Sequence, residues 1–456
     1  MECDFFYFVV FKFNSKTIGI HPIKPNFDIQ SNFQTMQKLG CILFFLALPW
    51  ISIAQPFVAN YDEAKVPVFT LPDVLVFNDG TPVANKKDWD KRRSEIYSIF
   101  EKEVFGVVPE WKGHVKSTLV SEKADALDGI AKRKEVRLDF INGDRRVSVM
   151  VLIYLPLNSK NAPVFLSYNF DGNHTTTMEP GVLLPDSWVS NNKAYEITDN
   201  RANEKGRGSA ASRWPMKEIV SRGFGVATVY YGDVDPDFDD GFKNGIQQLF
   251  DAKRDSTSWG SIAAWSWGLS RVMDYLETDK DINAKKVIMM GHSRLGKTAL
   301  WAGASDLRFA MTVSNNSGCG GAALSRRKFG ETVGRINTAF PHWFCDNFKK
   351  YNLKEESMPV DQHELLALIA PRPVYVASAA EDLWSDPRGE FLSCVFASPV
   401  YELLGMKGLP SNVMPALNTP LIGTIAYHIR PGKHDVMLYD WQRYMDFAAD
   451  YFKLKK

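Results

Sequence analysis

From about residue 160 the chain alternates between short runs that are apolar at nearly every position and longer stretches that are apolar on one face only. The short runs are APVFLSYNF (162–170), GFGVATVYYG (223–232), KKVIMMG (285–291), FAMTVSNNS (309–317), RPVYVASA (372–379) and TIAYHIRPG (424–432). Their length predicts strands buried on both faces. Between most of them lie segments with helical periodicity, such as SWGSIAAWSWGLSRVMDYLE (258–277) and GEFLSCVFASPVYELLG (389–405). Earlier, NKKDWDKRRSEIYSIFEKEVFG (85–106) places Trp89, Ile96, Ile99 and Phe100 on one helical face behind Asn85 as a cap. Alternating strands are expected around KEVRLDFI (134–141) and RVSVMVLIYLP (146–156).

Strands separated by amphipathic helices predict a mainly parallel sheet covered on both faces, a three-layer αβα sandwich. Early antiparallel strands followed by parallel ones fit the α/β-hydrolase arrangement. Ligands in such sheets bind at the carboxyl ends of strands, so the loops there hold the candidate chemistry. No internal repeat or low-complexity linker divides the region, and residues 55–456 read as one domain. The acidic stretch DVDPDFDDG (233–241) lacks the glycine and glutamate spacing of a calcium loop and reads as a surface loop.

The N-terminus is set apart from this pattern. MQKLGCILFFLALPWISIAQ (36–55) has a basic start, a short apolar run containing Pro49, and small residues Ser52 and Ala54 before a cut. That is the layout of a signal peptide over 36–54, with a signal anchor as the alternative. Residues 1–35 precede a plausible initiator Met36 and read as a doubtful N-terminal extension. The expected location is secreted or periplasmic, with no membrane insertion once the leader is removed. The mature chain keeps Cys319, Cys345 and Cys394, and a bridge between Cys319 and Cys345 is preferred.

The 456 residues carry a net charge of +1, which gives no reason to expect nucleic acid as a partner. A monomer is expected. Twelve tryptophans are explained first by burial and second by stacking on sugars. No Cys-x-x-Cys pair or histidine cluster points to a metal, and no organic cofactor is called for.

Within VIMMGHSRLGKTALW (287–301) a strand meets a helix at Ser293. Such a turn lifts a serine hydroxyl over the crevice, above unpaired helix N–H groups. A helix-capping serine is the plainer alternative. Serine needs a histidine and an orienting carboxylate, in the chain order Ser, acid, His. His434 follows the last strand in the loop RPGKHD (430–435), whereas His428 is within that strand and His363 precedes the acid loop. In the loop AAEDLWSDPRGE (379–390), Asp382 comes soonest after the strand and is preferred over Asp386 and Glu381. Arg294 places a backbone N–H and a cation beside the nucleophile. Lys297, four residues on, returns a second cation to the same face unless it is simply solvated. Together they point to an oxygen-rich substrate.

The motif GHSRLGK departs from Gly-x-Ser-x-Gly because Leu295 takes the second glycine's place. It resembles the Gly-x-Ser-Arg-x-Gly-Lys elbow of the glucuronoyl esterases, family fifteen of the carbohydrate esterases. The resemblance extends through NNSGCGGAALSRRKFGETVGRIN (315–337), FPHWFCDNF (340–348), EDLWSDPRGEF (381–391) and PGKHD (431–435). It implies a serine esterase acting on the ester between (4-O-methyl-)glucuronic acid of glucuronoxylan and lignin alcohols. It also implies that Arg294 helps form the oxyanion hole and that Lys297, Glu331 and Trp384 hold sugar hydroxyls. Without it, Glu331 reads as a surface residue and Trp384 as a loop anchor. Many members carry a catalytic glutamate where this chain has Asn316, which transfers the orienting role to Asp382. Rival readings are an acetylxylan or other carbohydrate esterase and a glycan-binding protein with a relic triad.

Overall fold

Runs that are apolar at every position become strands that are buried at every position. The computed structural model describes residues 57–251 and 253–454, so the extension expected over 1–35 and the signal peptide expected over 36–54 lie outside the described residues. The strands are β1 (His114–Asp125), β2 (Ala131–Asn142), β3 (Arg145–Pro156), β4 (Ala162–Asn169), β5 (Gly225–Tyr230), β6 (Ile282–His292), β7 (Met311–Asn315), β8 (Val374–Ala379), β9 (Leu421–Ile422) and β10 (Ile425–Arg430). They form one sheet in the order β1-β2-β3-β5-β4-β6-β7-β8-β10-β9. Pairing is antiparallel from β1 to β5 and at the β10–β9 edge, and parallel between β5 and β10. Strands β4, β5, β7, β8 and β10 are buried throughout, as a sheet with two covered faces requires.

Five longer helices position the layers: α1 (Lys86–Phe100), α2 (Ser261–Leu276), α3 (Arg294–Ser305), α4 (Pro387–Leu403) and α5 (Leu438–Tyr451). The first four bury Trp89, Trp265, Trp301 and Phe391 in the core on one face of the sheet. The other face is covered by Trp441, Tyr444 and Met445 of α5, with Met216 and Ile219 of a short helix. Strand β6 serves both layers by alternation, Val287 and Met289 entering one and Ile288 and Met290 the other. Asn85 caps α1 by accepting from the Asp88 N–H at 3.1 Å, and of the face read from sequence only Ile99 is not fully buried. Among the described residues eight of eleven tryptophans are buried, so packing accounts for most of them, while Trp384 is only half-buried.

Two expectations are corrected. Strand β2 does not alternate: Val136, Leu138 and Phe140 share burial with Arg133, Lys134, Glu135 and Asp139. On its polar side Arg133 reaches Glu179 and the Pro180 carbonyl, and Glu135 accepts from the Leu183 N–H at 2.8 Å, so the segment around 179–183 covers that face. The disulfide is absent: Cys319, Cys345 and Cys394 are all free and buried. Cys345 Sγ turns to the Lys102 carbonyl at 3.6 Å, while Cys319 sits within the field of Lys297 and Glu331. Burial pushes the Cys345 thiol up to about 11 and the Cys319 thiol well above its ordinary value, so neither is an exposed reactive thiolate.

Candidate active site

The carboxyl ends of β5, β6, β7, β8 and β10 supply every residue of the candidate site. Strand β6 stops at His292, α3 starts at Arg294, and Ser293 between them holds φ 57° and ψ −130°. A positive φ on a serine is strained and persists only where its surroundings enforce it. Here the Ser293 N–H donates to the Asn315 carbonyl at 2.9 Å, while its own carbonyl accepts from Gly296 at 2.8 Å and Lys297 at 3.2 Å. The glycine spacing follows from the same crowding. A Cβ on Gly291 would lie 1.9 Å from the Leu295 carbonyl oxygen, and one on Gly296 would lie 2.9 Å from Ser317 Cβ. Leu295 itself is buried in the core, so the position that departs from the common elbow pattern does packing work.

His434 occupies the loop after β10, and its Nδ1 lies 2.6 Å from Asp382 Oδ2 in the loop after β8. A carboxylate only accepts, so the neutral imidazole carries its proton on Nδ1 and presents Nε2 as the acceptor. Asp382 Oδ2 also accepts from Asn316 Nδ2 at 2.8 Å. Burial would raise the Asp382 carboxyl, but the bond and charge of His434, then Ser385 and Asn316, outweigh it and hold the group below its ordinary value. The His434 ring packs against His292, the residue before Ser293, with centroids 4.5 Å apart. This contact brings the histidine to the elbow. His292 Nδ1 is in turn 2.7 Å from Asn315 Oδ1, whose amide donates to Tyr444. Burial, then the neighbouring His434, pushes His292 well below the usual imidazole range, so it stays neutral beside His434.

The loop carrying His434 is shaped by Arg430. Its guanidinium donates to the carbonyls of Pro431 (3.0 Å), Lys433 (3.3 Å) and Asp435 (2.5 Å) while pairing with Asp440. His428 is fully buried between Tyr375 and Asp440, and His363 bonds the Pro72 carbonyl, so neither reaches the elbow. Asp386 caps α4 through the Gly389 N–H at 2.9 Å and pairs with Arg327 at 2.8 Å. Glu381 is exposed.

Lys297 is buried rather than solvated. Its Nζ donates to the Ser317 carbonyl at 2.5 Å and lies 3.6 Å from Glu331 Oε2. Glu331 is buried as well, and burial raises its carboxyl against the opposing pull of Lys297. Its side chain hydrogen-bonds to Trp384, and its N–H donates to the Trp384 carbonyl at 3.0 Å. Lys297, Glu331 and Trp384 therefore stand together. Phe57 meets the edge of Trp384 at 6.1 Å between centroids, and the Asn60 carbonyl accepts from Gly330, so the first described residues border this cluster. Nothing in their sequence marked them for that place.

The acidic stretch 233–241 is also corrected. Asp233 and Asp235 are buried and the Asp237 side chain, 6% exposed, pairs with Arg294, while Asp239 and Gly241 stay on the surface. The loop follows β5, one of the strand ends where ligands bind, and that position was the available signal. Among the described residues no cluster of three or more His, Cys, Asp or Glu could hold a metal ion.

A strand order with a serine elbow after β6, an acid loop after β8 and a histidine loop after β10 defines an α/β-hydrolase. A family model for glucuronyl esterase, fungi, matches residues 214–405. Carbohydrate esterase MZ0003, from an unknown prokaryotic organism, is 53% identical over 403 residues, covering 87% of this chain and 92% of its own. The structure of a promiscuous carbohydrate esterase family 15 enzyme from the marine bacterial metagenome superposes with a TM-score of 0.81. It is 52% identical and covers 86% of this chain and 99% of its own. A glucuronoyl esterase from Solibacter usitatus gives a TM-score of 0.79 at 48% identity, covering 84% and 98%. The chain belongs to the glucuronoyl esterases, carbohydrate esterase family 15, and is a carboxylic ester hydrolase.

Proposed function

We propose that this chain is an exported serine esterase that cleaves esters between (4-O-methyl-)glucuronic acid of glucuronoxylan and lignin alcohols. Ser293 Oγ attacks the ester carbonyl as His434 Nε2 takes its proton. Asp382 holds the Nδ1 tautomer and stabilises the imidazolium. The negative charge that develops on the carbonyl oxygen is met by the Arg294 N–H groups. His434 then returns the proton to the departing alcohol, and water releases the glucuronate from Ser293 by the same steps in reverse. Lys297, Glu331 and Trp384 hold the sugar hydroxyls. The mature enzyme is residues 55–456, and it acts outside the cell because its polymeric substrate does not enter.

The observation that carries this reading is the 2.6 Å contact between His434 Nδ1 and Asp382 Oδ2, in a ring packed beside the strained Ser293. A glucuronoyl ester, uncharged but rich in oxygen atoms, is favoured over an acetyl ester by two cationic side chains, Arg294 and Lys297, within one turn of the nucleophile. The test is hydrolysis of benzyl glucuronate and acetylated xylan by wild type and Ser293→Ala. Wild type is expected to prefer the glucuronate, and the variant to lose at least about 10⁴ in kcat. Preference for acetylated xylan would transfer the reading to an acetyl esterase. Sugar binding with no cleavage dependent on Ser293 would leave a glycan-binding protein.

A further inference from the structure

Four donors converge on the Asp237 carboxylate. Oδ2 accepts from the Tyr231 hydroxyl at 3.0 Å and pairs with Arg294 Nη1. Oδ1 lies 2.9 Å from His342 Nε2 and accepts from Trp343 Nε1 at 2.7 Å. An ionised carboxylate offers about four acceptor sites, so this set leaves Asp237 no capacity for a substrate proton or a metal ion. Burial would raise its carboxyl, yet the His342 bond, the Arg294 charge and the Trp343 bond overcome it and hold the group at about 2. The segment bearing two of these donors is itself fixed, because the His342 and Trp343 carbonyls accept the Ser261 and Ile262 N–H groups that open α2.

Three rings flank the Arg294 guanidinium, with its carbon 5.0 Å from the Trp343 centroid, 5.6 Å from Phe170 and 5.7 Å from Phe340. Its Nε is buried and has no hydrogen-bond partner among the described residues. Arginine has five N–H donors, so its bonds with Asp237 and Tyr231 leave donors to spare. The Arg294 side chain is 29% exposed, but its bonds to Asp237 and Tyr231 and the flanking rings restrain it. It keeps one orientation beside Ser293, and pairing with Asp237 offsets its charge while leaving the direction of its other N–H groups intact.

We propose that Asp237 is a positioning residue that sets the orientation of the Arg294 guanidinium for the oxyanion. This rests on the reading of Arg294 as an oxyanion donor given above. Asp237 touches no reacting atom and acts through Arg294 alone.

A double-mutant cycle on benzyl glucuronate tests it. Arg294→Ala is expected to lower kcat by roughly 10²–10³-fold, as loss of one oxyanion donor does. Asp237→Asn is expected to lower kcat by roughly 10- to 100-fold through misplacement of the donor, with KM changed less than about threefold. In the Arg294→Ala background, Asp237→Asn should change kcat by less than about twofold. A merely structural role predicts the same factor in both backgrounds, and that additivity would overturn the proposal. If Arg294→Ala leaves kcat unaltered, the oxyanion reading itself falls and the clamp with it. Should Asp237→Asn fail to fold, His342→Phe runs the same cycle by removing one donor to Asp237. It is expected to cost roughly three- to tenfold in kcat with Arg294 present and nothing without it.

Discussion

The loop after β8 and the loop after β5 each bury an aspartate that grips a functional side chain, yet they solve different problems. Asp382 bonds His434, whose charge appears and disappears as the proposed reaction proceeds. Asp237 pairs with Arg294, whose charge is permanent. Burial pushes both carboxyls upward and donors pull both below their ordinary values. With one imidazole, one hydroxyl and one amide but no permanent cation, Asp382 remains responsive to its partner. With a guanidinium, an imidazole, an indole and a phenol, Asp237 is locked. The difference teaches that equal burial does not mean an equal role: the number and charge of the donors separate a group that supports a moving proton from one that supports a geometry.

The sharpest break between the two loops is the pair of Asp→Asn substitutions. Asp382→Asn removes the charge that steadies the imidazolium and invites the wrong tautomer, so kcat should fall by about 10²–10⁴-fold. That exceeds the loss expected from Asp237→Asn, and steady-state kinetics on benzyl glucuronate ranks them. Stability should rank them differently. The Asp237 carboxyl lies at about 2 in the fold against 3.8 as its reference. Its stabilisation is therefore present above the reference value and is lost as pH falls through the folded one. Wild type should exceed Asp237→Asn by roughly 1–3 kcal/mol at neutral pH, and urea midpoints should show that margin shrinking as pH falls below about 4.

The same contrast explains what was legible in the sequence. Apolar runs exposed the parallel strands because each is covered on both faces, and the elbow, Asp382 and His434 follow those strands in fixed order. Strand β1 escaped because it lies at the sheet edge and is exposed over most of its length. Asp237 escaped because its partners lie far along the chain, Arg294 at 57 residues and Trp343 at 106. A cluster of acidic residues then looks solvated when read locally. The Cys319–Cys345 bridge failed for a related reason, since an even pairing drawn from an oxidising location says nothing about where each thiol points.

Smaller effects separate Asp382 from its neighbours. Asp386→Asn keeps the α4 cap and suits a left-handed residue at φ 50°, but it weakens the buried pair with Arg327. Arg327 retains Glu63 at 2.6 Å, so thermal melts should show a loss of about 1–2 kcal/mol, with kcat within about twofold of wild type. Asn316→Ala removes one donor to Asp382 but also a carbonyl oxygen that is buried without a partner. The two changes partly offset, and kcat should fall only about two- to tenfold. A loss from Asn316→Ala larger than that from Asp382→Asn would reverse the assignment of the acid.

Glu390 supplies the third case and the smallest effect on activity. It is fully buried beneath the loop after β7, where its carboxyl accepts from the Ser317 and Gly318 N–H groups and from the Ser378 hydroxyl at 2.6 Å. It has donors but no cation, and burial raises it to about 8, whereas the Arg294 cation helps bring Asp237 to about 2. The sign of the pH dependence reverses accordingly. A carboxyl raised from 4.5 to about 8 gives stability that is full below 4.5 and is lost as pH rises toward 8. Glu390→Gln keeps an acceptor for the two N–H groups and carries no charge to bury. Its melting temperature should therefore gain on that of wild type between about pH 5 and pH 8, with kcat within about twofold. A wild type that instead pulled ahead of the glutamine variant over that range would mean the glutamate is stabilised in its ionised form. Burial without a cation would then not be what separates Glu390 from Asp237.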